Sequence, residues 1–150
     1  MLHLDEKRFA GEHVLDFQNG DTIFREGDEC REMYIVQRGE VHIIKKTPKG
    51  PLTLARLHKG DFVGEMALLE SLPRSATAQA VGRTRLLVLQ PGGFLLKIRR
   101  DPTLAFEMLQ RLSRRIRVTN EKLLDALNQD PSKETLRTIL QSSEFDGGQK

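Results

Sequence analysis

The stretch from Gly60 to Ala78 reads GDFVGEMALLESLPRSATA, and it decides how the chain around it folds. It begins as the end of an apolar strand, passes through Gly64, and then supplies about one helical turn. Pro73 closes a loop, after which the residues again favour a strand. The stretch therefore predicts a strand, a glycine turn, a short helix, a loop and a further strand in succession.

Four residues of this stretch predict a place for an anion. Gly64 lets a ligand or a backbone approach closely, and a short helix beginning near Glu65 directs free backbone N–H groups to one spot. Arg74 returns with a planar guanidinium that is always charged, and Ser75 adds a hydroxyl and a backbone N–H. Together these groups predict a phosphate cradle with its own charge partner.

Glu65 is unusual in such a cradle, because a carboxylate repels a phosphate. It fits a ligand that carries a hydroxyl near its phosphate, since a carboxylate accepts hydrogen bonds and can hold a ribose 2′-OH. The alternative is structural: Glu65 caps the local turn and pairs with Arg74. Both interpretations are compatible with the spacing of the residues.

Short strands and glycine turns fill the first ninety residues. The turn at Arg38-Gly39 predicts a hairpin, and many short strands with turns between them indicate a sandwich or a barrel. A small helix is expected over Leu4–Val14. The predicted strands are Thr22–Phe24, Met33–Val36, Glu40–Lys45, Leu52–Leu57, Ala76–Val81 and Thr84–Leu89.

A long helix is predicted from about Pro102 to Leu127, with Asp101 as its N-cap and Asp130-Pro131 beyond its end. It would be about 39 Å long. Either it lies on its own domain or it forms a two-stranded coiled coil in a homodimer. A short helix over Lys133–Leu140 and a frayed tail follow. The heptad seam that supports the coiled coil is Leu109, Leu112, Ile116, Thr119, Leu123 and Ala126.

The segments Phe62–Leu68 and Pro73–Ala76 resemble the phosphate-binding cassette of cyclic nucleotide-binding domains. That family's pattern is roughly F-G-E-x-A-L, a variable loop, and R-[AST]-A after a proline or another residue. Gly20–Asp28 and Met33–Val41 are similar to its upstream hairpins, and the resemblance covers about residues 15 to 127. Val63 departs from the aromatic residue that often precedes the glycine. The resemblance implies a mainly β fold with α elements, a cyclic nucleotide-binding β-roll or jelly-roll sandwich with a short N-terminal helix, a cassette helix and a long C-terminal helix.

The resemblance also implies roles for particular residues. Gly64 and Glu65 would meet the ribose, Ala67 and Ser75 would offer backbone N–H groups to the cyclic phosphate, and Arg74 would neutralise its charge. Met66 and Ala76 complete the expected set in the cassette.

On the long helix, Arg114–Lys122 resembles the catabolite-activator branch of the family, in which a threonine and the residue after it read the base. Thr119 and Asn120 are therefore the candidates here. Asn120 replaces that branch's serine, which leaves the preference between cAMP and cGMP open. The structural alternative for Thr119 is that it only sets the register of the helix seam.

Composition excludes several classes of protein. The chain has 150 residues, a net charge of +3 and one cysteine, Cys30, which rules out an intrachain disulfide. No secretory segment or membrane span is visible, so the cytoplasm is the expected compartment. The four histidines are not part of a recognisable metal-binding motif, and no P-loop motif is present. No candidate nucleophile has an activating partner in the sequence pattern. No metal, no cofactor and no enzymatic activity are expected.

The sequence thus predicts a cyclic nucleotide receptor with cAMP as its first ligand, cGMP as the second, and a homodimer through the long helix. The alternatives are a dimeric interaction scaffold with a degenerate pocket, or a regulatory fragment of a longer transcription factor, channel or enzyme. Residues 1–100 are expected to form the β-roll, 101–129 the helix and 130–150 a short helix or tail. About 20 residues after Asp130 are too few for a helix-turn-helix DNA-binding domain, and a downstream protein partner stays open.

Overall fold

The computed structural model describes residues 8–130, together with 134, 137, 138 and 141. Contacts divide the chain into two units, one ending at Met108 and the other starting at Leu109. The elements, in chain order, are β1 (His13–Phe17), β2 (Thr22–Phe24), β3 (Met33–Thr47), β4 (Gly50–Leu57), β5 (Phe62–Val63), α1 (Glu65–Glu70), β6 (Thr77–Leu89), α2 (Pro91–Arg100) and α3 (Pro102–Gln129).

Two long strands, β3 and β6, organise the sheet. They pair with each other antiparallel from Met33↔Leu89 to Ile44↔Thr77. The first part of β6 also pairs with β2 and its last part with β1. In the same way, β3 pairs with β5 near its start and with β4 near its end. The result is an open, antiparallel six-stranded sheet, which confirms the predicted mainly β class with helices.

The predicted hairpin at Arg38-Gly39 is wrong. Met33–Val36 and Glu40–Lys45 are halves of the single strand β3, and Ala76–Val81 and Thr84–Leu89 fall almost entirely within the single strand β6. The ladder shifts register on both sides of Arg38, so the glycine lies in a bulged part of the strand and not in a turn. A bulge lets a strand bend and continue, which is why a glycine there resembles a turn in sequence.

The predicted N-terminal helix over Leu4–Val14 is also wrong within the described residues. Residues 8–11 form a turn, and His13 and Val14 already belong to β1. From Val14 to Phe17, more exposed and less exposed residues alternate. This alternation is typical of a strand that pairs with β6 and not of one face of a helix. Residues 1–7 lie outside the described residues.

The helices after the sheet partly match the expectation. Helix α3 spans Pro102–Gln129, close to the predicted bounds. Helix α2 was not anticipated, because Gly92 and Gly93 weigh against a helix, yet Pro91 opens it and Phe94 is buried. Of the helix expected over Lys133–Leu140, residues 134, 137 and 138 are helical and the others lie outside the described residues. The predicted three-part division of the chain stays a prediction.

The core of the first unit positions the cassette. Its inner cluster consists of Phe24, Tyr34, Val36, Val41, Leu57, Val63, Ala78, Leu86 and Val88. The last residues of β6 are buried on both faces of the sheet, since Leu86 to Leu89 are all at most 6% exposed. The two strands that end at the cassette, β2 and β5, are therefore held by a fixed framework. No described helix combines the length and the apolar character that a membrane crossing requires.

Gly39 provides a test of the bulge. Its φ is +89°, and a Cβ atom there would collide with the backbone oxygen of Arg83 and lie 2.8 Å from the Cα of Thr84. Gly20 has a φ of +87° but nothing within 4 Å of such a Cβ atom. We expect Gly20→Ala to lower the free energy of unfolding by about 1–2 kcal/mol, from backbone strain alone. Gly39→Ala should lower it by a further 1–3 kcal/mol or so, because the bulge must move. Urea denaturation of the two variants measures the difference, and equal losses would contradict the close approach.

Candidate functional site

The cassette runs from the end of β5 through α1 to the start of β6. Gly64 precedes α1 with a φ of +89°, and Ser71 ends the helix with a φ of +57°. Within α1, Ala67 and Leu68 are buried, whereas Met66 is 50% exposed. Glu65 is half-buried in the first helical turn. The predicted strand, glycine turn and single helical turn are present in that order.

Arg74 is the central side chain of the cassette and is only 3% exposed. Its Nη2 donates to the backbone oxygen of Glu32 at 2.6 Å, and its Nη1 donates to the backbone oxygen of Gly64 at 3.2 Å. Its Nε atom is buried and has no hydrogen-bond partner among the described residues. A guanidinium in this state retains donor capacity for an anion.

Two aromatic rings, those of Phe24 and Tyr34, lie against the Arg74 guanidinium. The Cζ atom of Arg74 lies 4.2 Å from the ring centroid of Phe24 and 5.9 Å from that of Tyr34. The two rings stack with centroids 6.0 Å apart. Cation–π attraction of this kind compensates part of the cost of burying the charge. Burial, together with the nearby Glu32 carboxylate, raises the pKa of Tyr34, so its hydroxyl stays protonated at neutral pH.

The Glu32 carboxylate forms an ion pair with Arg74. Its Oε2 atom lies 3.8 Å from Nη2 of Arg74 and makes no hydrogen bond among the described residues, although it is buried. The structure shows an ion pair of Arg74 with Glu32. The alternative in which Glu65 pairs with Arg74 stays a prediction. The carboxylate that faces the arginine is thus supplied by the segment before β3.

Gly64 is fixed by the same contacts. A Cβ atom at this position would lie 2.5 Å from Nη1 of Arg74 and 2.8 Å from the backbone oxygen of Glu32. The absence of a side chain therefore lets the guanidinium reach the start of α1. This is the close approach that the sequence predicted, although the approaching group is a side chain of the protein itself.

The far end of the cassette is tied to β3 by a lysine. Lys45 donates from Nζ to the backbone oxygen of Ser75 at 2.7 Å and to the Glu26 carboxylate at 2.6 Å. This hydrogen bond lowers the pKa of Glu26. Ser75 itself is exposed, with its hydroxyl 3.9 Å from the Met66 sulfur, and Ala76 beside it is buried. The exposed Ser75 thus directly follows the buried, charged Arg74 in the chain.

The predicted site residues fall into two groups. The structure brings Gly64 into contact with Arg74, and Met66 into contact with Ser75, so the segment Gly64–Ala67 meets the segment Arg74–Ala76. Thr119 and Asn120 lie on α3 in the second unit, where both side chains are exposed. The ligand roles given to all these residues stay predictions.

Sequence reasoning missed Glu32, Phe24 and Tyr34 as parts of the site. Their signal was weak, because each contacts Arg74 from 40 or more positions away along the chain. Strand pairing explains how they arrive: Tyr34 pairs with Val63, and Phe24 pairs with Ala78, on either side of the cassette. In the part of the chain that the structure describes, no group of three His, Cys, Asp or Glu side chains is placed to hold a metal ion.

Many known proteins are similar to this chain in sequence. The chain is 39% identical over 93 residues to a putative potassium channel protein of Rhodopseudomonas palustris, covering 62% of this chain and 22% of that protein. It is 38% identical over 108 residues to the cyclic AMP receptor protein of Thermus thermophilus, covering 71% of this chain and 50% of that protein. The chain thus spans about a fifth to a half of the length of these two relatives.

A solved structure and a family profile agree with these relatives. The crystal structure of the Thermus thermophilus catabolite activator protein matches with a TM-score of 0.72 and 34% identity, over 84% of this chain and 61% of that chain. The profile described as "Cyclic nucleotide-binding domain" matches residues 14–101, which contain the sheet, the cassette and α2. The chain therefore belongs to the cyclic nucleotide-binding domain family.

Proposed function

We propose that this chain is a non-enzymatic receptor module for a cyclic nucleotide, with cAMP as the first candidate and cGMP as the second. The observation that carries the proposal is the Arg74 guanidinium, buried beside Gly64 and one residue before the exposed Ser75. A cyclic phosphate is a diester with one negative charge, which one buried arginine matches. We further propose that the module works in the cytoplasm, which suits its unpaired Cys30.

Binding would exchange one set of partners of Arg74 for another. The guanidinium now donates to two backbone oxygens, and its buried Nε atom has no acceptor among the described residues. An equatorial phosphate oxygen supplies a charged acceptor, and hydrogen bonds to charged groups are the stronger ones. Glu65, in the first turn of α1, is the candidate acceptor for the ribose 2′-OH, while Ala67 and Ser75 offer backbone N–H groups. Thr119 and Asn120 are the candidates for contacting the base.

The relatives support a signalling role with cAMP. One is named a cyclic AMP receptor protein, and others are named cAMP-dependent protein kinase regulatory subunits. Ligand would transmit a signal only to the extent that it binds two arrangements of the chain with different affinity. Helix α3 is the proposed output element, since it carries both base-contact candidates and the predicted seam.

The first prediction concerns Arg74 and is measured by calorimetric titration with cAMP and with cGMP after removal of any bound nucleotide. Loss of one partner of a buried charge pair costs about 2–5 kcal/mol, so Arg74→Ala should weaken binding about 30- to several thousand-fold. Arg74→Lys keeps the charge and much of the volume but loses the planar fork, and it should also weaken binding. Arg25→Ala, at an exposed position just after Phe24, is the matched control. Unchanged affinity for cAMP and for cGMP in both Arg74 variants would contradict the proposal that the cassette binds the cyclic phosphate.

A second prediction concerns Glu32, whose carboxylate faces the same guanidinium that the phosphate must approach. Glu32→Gln removes a negative charge 3.8 Å from Nη2 of Arg74 while leaving the backbone acceptor in place. We expect cAMP to bind severalfold more tightly to this variant, because like charges no longer oppose each other. Glu29→Gln, an exposed change in the same loop, should leave affinity unchanged. Weaker binding in Glu32→Gln would mean that this carboxylate positions Arg74 and does not compete with the ligand.

A third prediction concerns the proposed homodimer. Leu109 and Ile116 are 63% and 62% exposed on α3, and they belong to the seam with Leu112 and Leu123. Exposed apolar side chains at spacings of three and four favour pairing with a second helix. Sedimentation should show a concentration-dependent dimer that Ile116→Lys abolishes. Leu95→Lys, at a position equally exposed on α2, should not affect it. A monomer at high protein concentration, with and without cAMP, would reject the dimer.

A further inference from the structure

Three arginines form a row on the first unit, in a part of the sheet separate from the cassette. Arg83 and Arg85 are on β6, and Arg38 is on β3 directly opposite Arg85. Residues two apart on a strand share a face, so Arg83 and Arg85 project to the same side. Thr84 between them is buried to 2% exposure, whereas all three arginines are exposed. We call this set the arginine row.

The backbone beneath the arginine row is held in place by specific contacts. The Thr84 hydroxyl donates to the backbone oxygen of Glu40 at 3.1 Å, and the Gly82 N–H donates to Oδ1 of Asn19 at 2.8 Å. Gly39 lies so close to Arg83 that no Cβ atom fits there. The backbone positions of the three arginines on the sheet are therefore set by the bulge in β3 and by these contacts.

The charges in the row are only partly compensated. Asp16, opposite Arg85 on β1, accepts from its Nε at 2.7 Å and from its Nη2 at 2.9 Å. Among the described residues, Arg38 and Arg83 have neither a hydrogen bond nor an ion pair through their guanidinium groups. Like charges directly opposite each other on a sheet are unfavourable. The Asp16 carboxylate also interacts electrostatically with Arg38. Three guanidinium groups and one carboxylate give this part of the surface a formal net charge of +2.

The row borders a concave space of about 310 Å³, to which Phe17 and Gln18 also contribute. Its size suits a small molecule or one end of a larger one. Guanidinium forks match the oxygens of a phosphate in paired hydrogen bonds. A phosphate monoester carries about −1.5 to −2 charges at pH 7, in contrast to the single charge of a diester.

We propose that the arginine row is a binding site for a dianionic phosphate, as a phosphate monoester or as free phosphate, separate from the cyclic nucleotide cassette. Arg38 and Arg83 supply guanidinium groups that make no described hydrogen bond, and Asp16 holds Arg85 as the fixed side of the site. The two sites differ in the groups that would meet the ligand: the cassette has the single buried guanidinium of Arg74, with the Glu32 carboxylate beside it, whereas the row has three guanidinium groups and one carboxylate.

Titrations with methyl phosphate, dimethyl phosphate and inorganic phosphate, followed by amide chemical shifts of the full chain, test this site. We expect saturable binding of methyl phosphate, with shifts at Gly39 and Arg83–Arg85 that persist when excess cAMP occupies the cassette. Dimethyl phosphate, with one charge, should bind much more weakly. Methyl phosphate binding more tightly than inorganic phosphate would identify an ester as the occupant, and the reverse order would identify free phosphate.

Variants of the exposed arginines supply the control. Arg38→Gln and Arg83→Gln should each weaken the binding of methyl phosphate about tenfold or more, since each substitution removes hydrogen bonds to a charged group. Arg56→Gln changes another exposed arginine of the same sheet, on β4, and should have no effect. Thermal unfolding confirms that each variant is folded, and cAMP affinity should be the same in all three. Equal weakening in all three variants, non-saturable binding, or shifts confined to residues 64–76 would overturn the proposal.

Discussion

The rest of the cassette depends on one constraint: the permanent charge of Arg74 lies where water does not reach. At 3% exposure, the guanidinium must be stabilised by hydrogen bonds and by the Phe24 ring, because an unpaired buried charge is very costly. This requirement explains why Gly64 has no room for a side chain and why the segment before β3 turns its backbone oxygen toward the arginine. The ends of β2 and β5 therefore meet at one side chain, and the charge that organises the cassette is also the charge proposed to meet the ligand.

The cassette buries its positive charge, whereas the arginine row exposes its positive charges to solvent. Arg74 is desolvated, supported by aromatic rings and close to a carboxylate, so few groups determine its interactions. The arginines of the row are exposed to water, where salt and solvent screen their interactions. Attraction of an anion by the row therefore depends on the number of arginines and not on their burial. A buried single charge favours discrimination by shape and hydrogen bonding. An exposed cluster favours discrimination by the charge of the ligand.

Local pattern was enough to predict some elements but not those that depend on distant partners. The bounds of β2 and the start of α3 follow from β-favouring residues and from the Asp101-Pro102 signal, and both were predicted closely. The continuity of β3 and β6 was not predicted, since a glycine in a bulge resembles a glycine in a turn. In the cassette, Gly64 and Arg74 were evident from the motif. Glu32 was not, because its contact with Arg74 joins residues 42 positions apart through strand pairing that no local pattern encodes.

The pairing of β3 with β6 has a consequence for how the first unit moves. All of β4, β5 and α1 lies in the chain between these two strands, and their ladder closes the base of that segment at Ile44↔Thr77. Local opening in proteins follows cooperative units of contiguous structure. The segment between Thr47 and Thr77 leaves β3 and enters β6 beside this ladder, and its strands β4 and β5 pair back onto β3. Because α1 is not part of this ladder, movement of the helix does not require the pairs between β3 and β6 to break, and the proposed ligand can exchange without unfolding of the sheet.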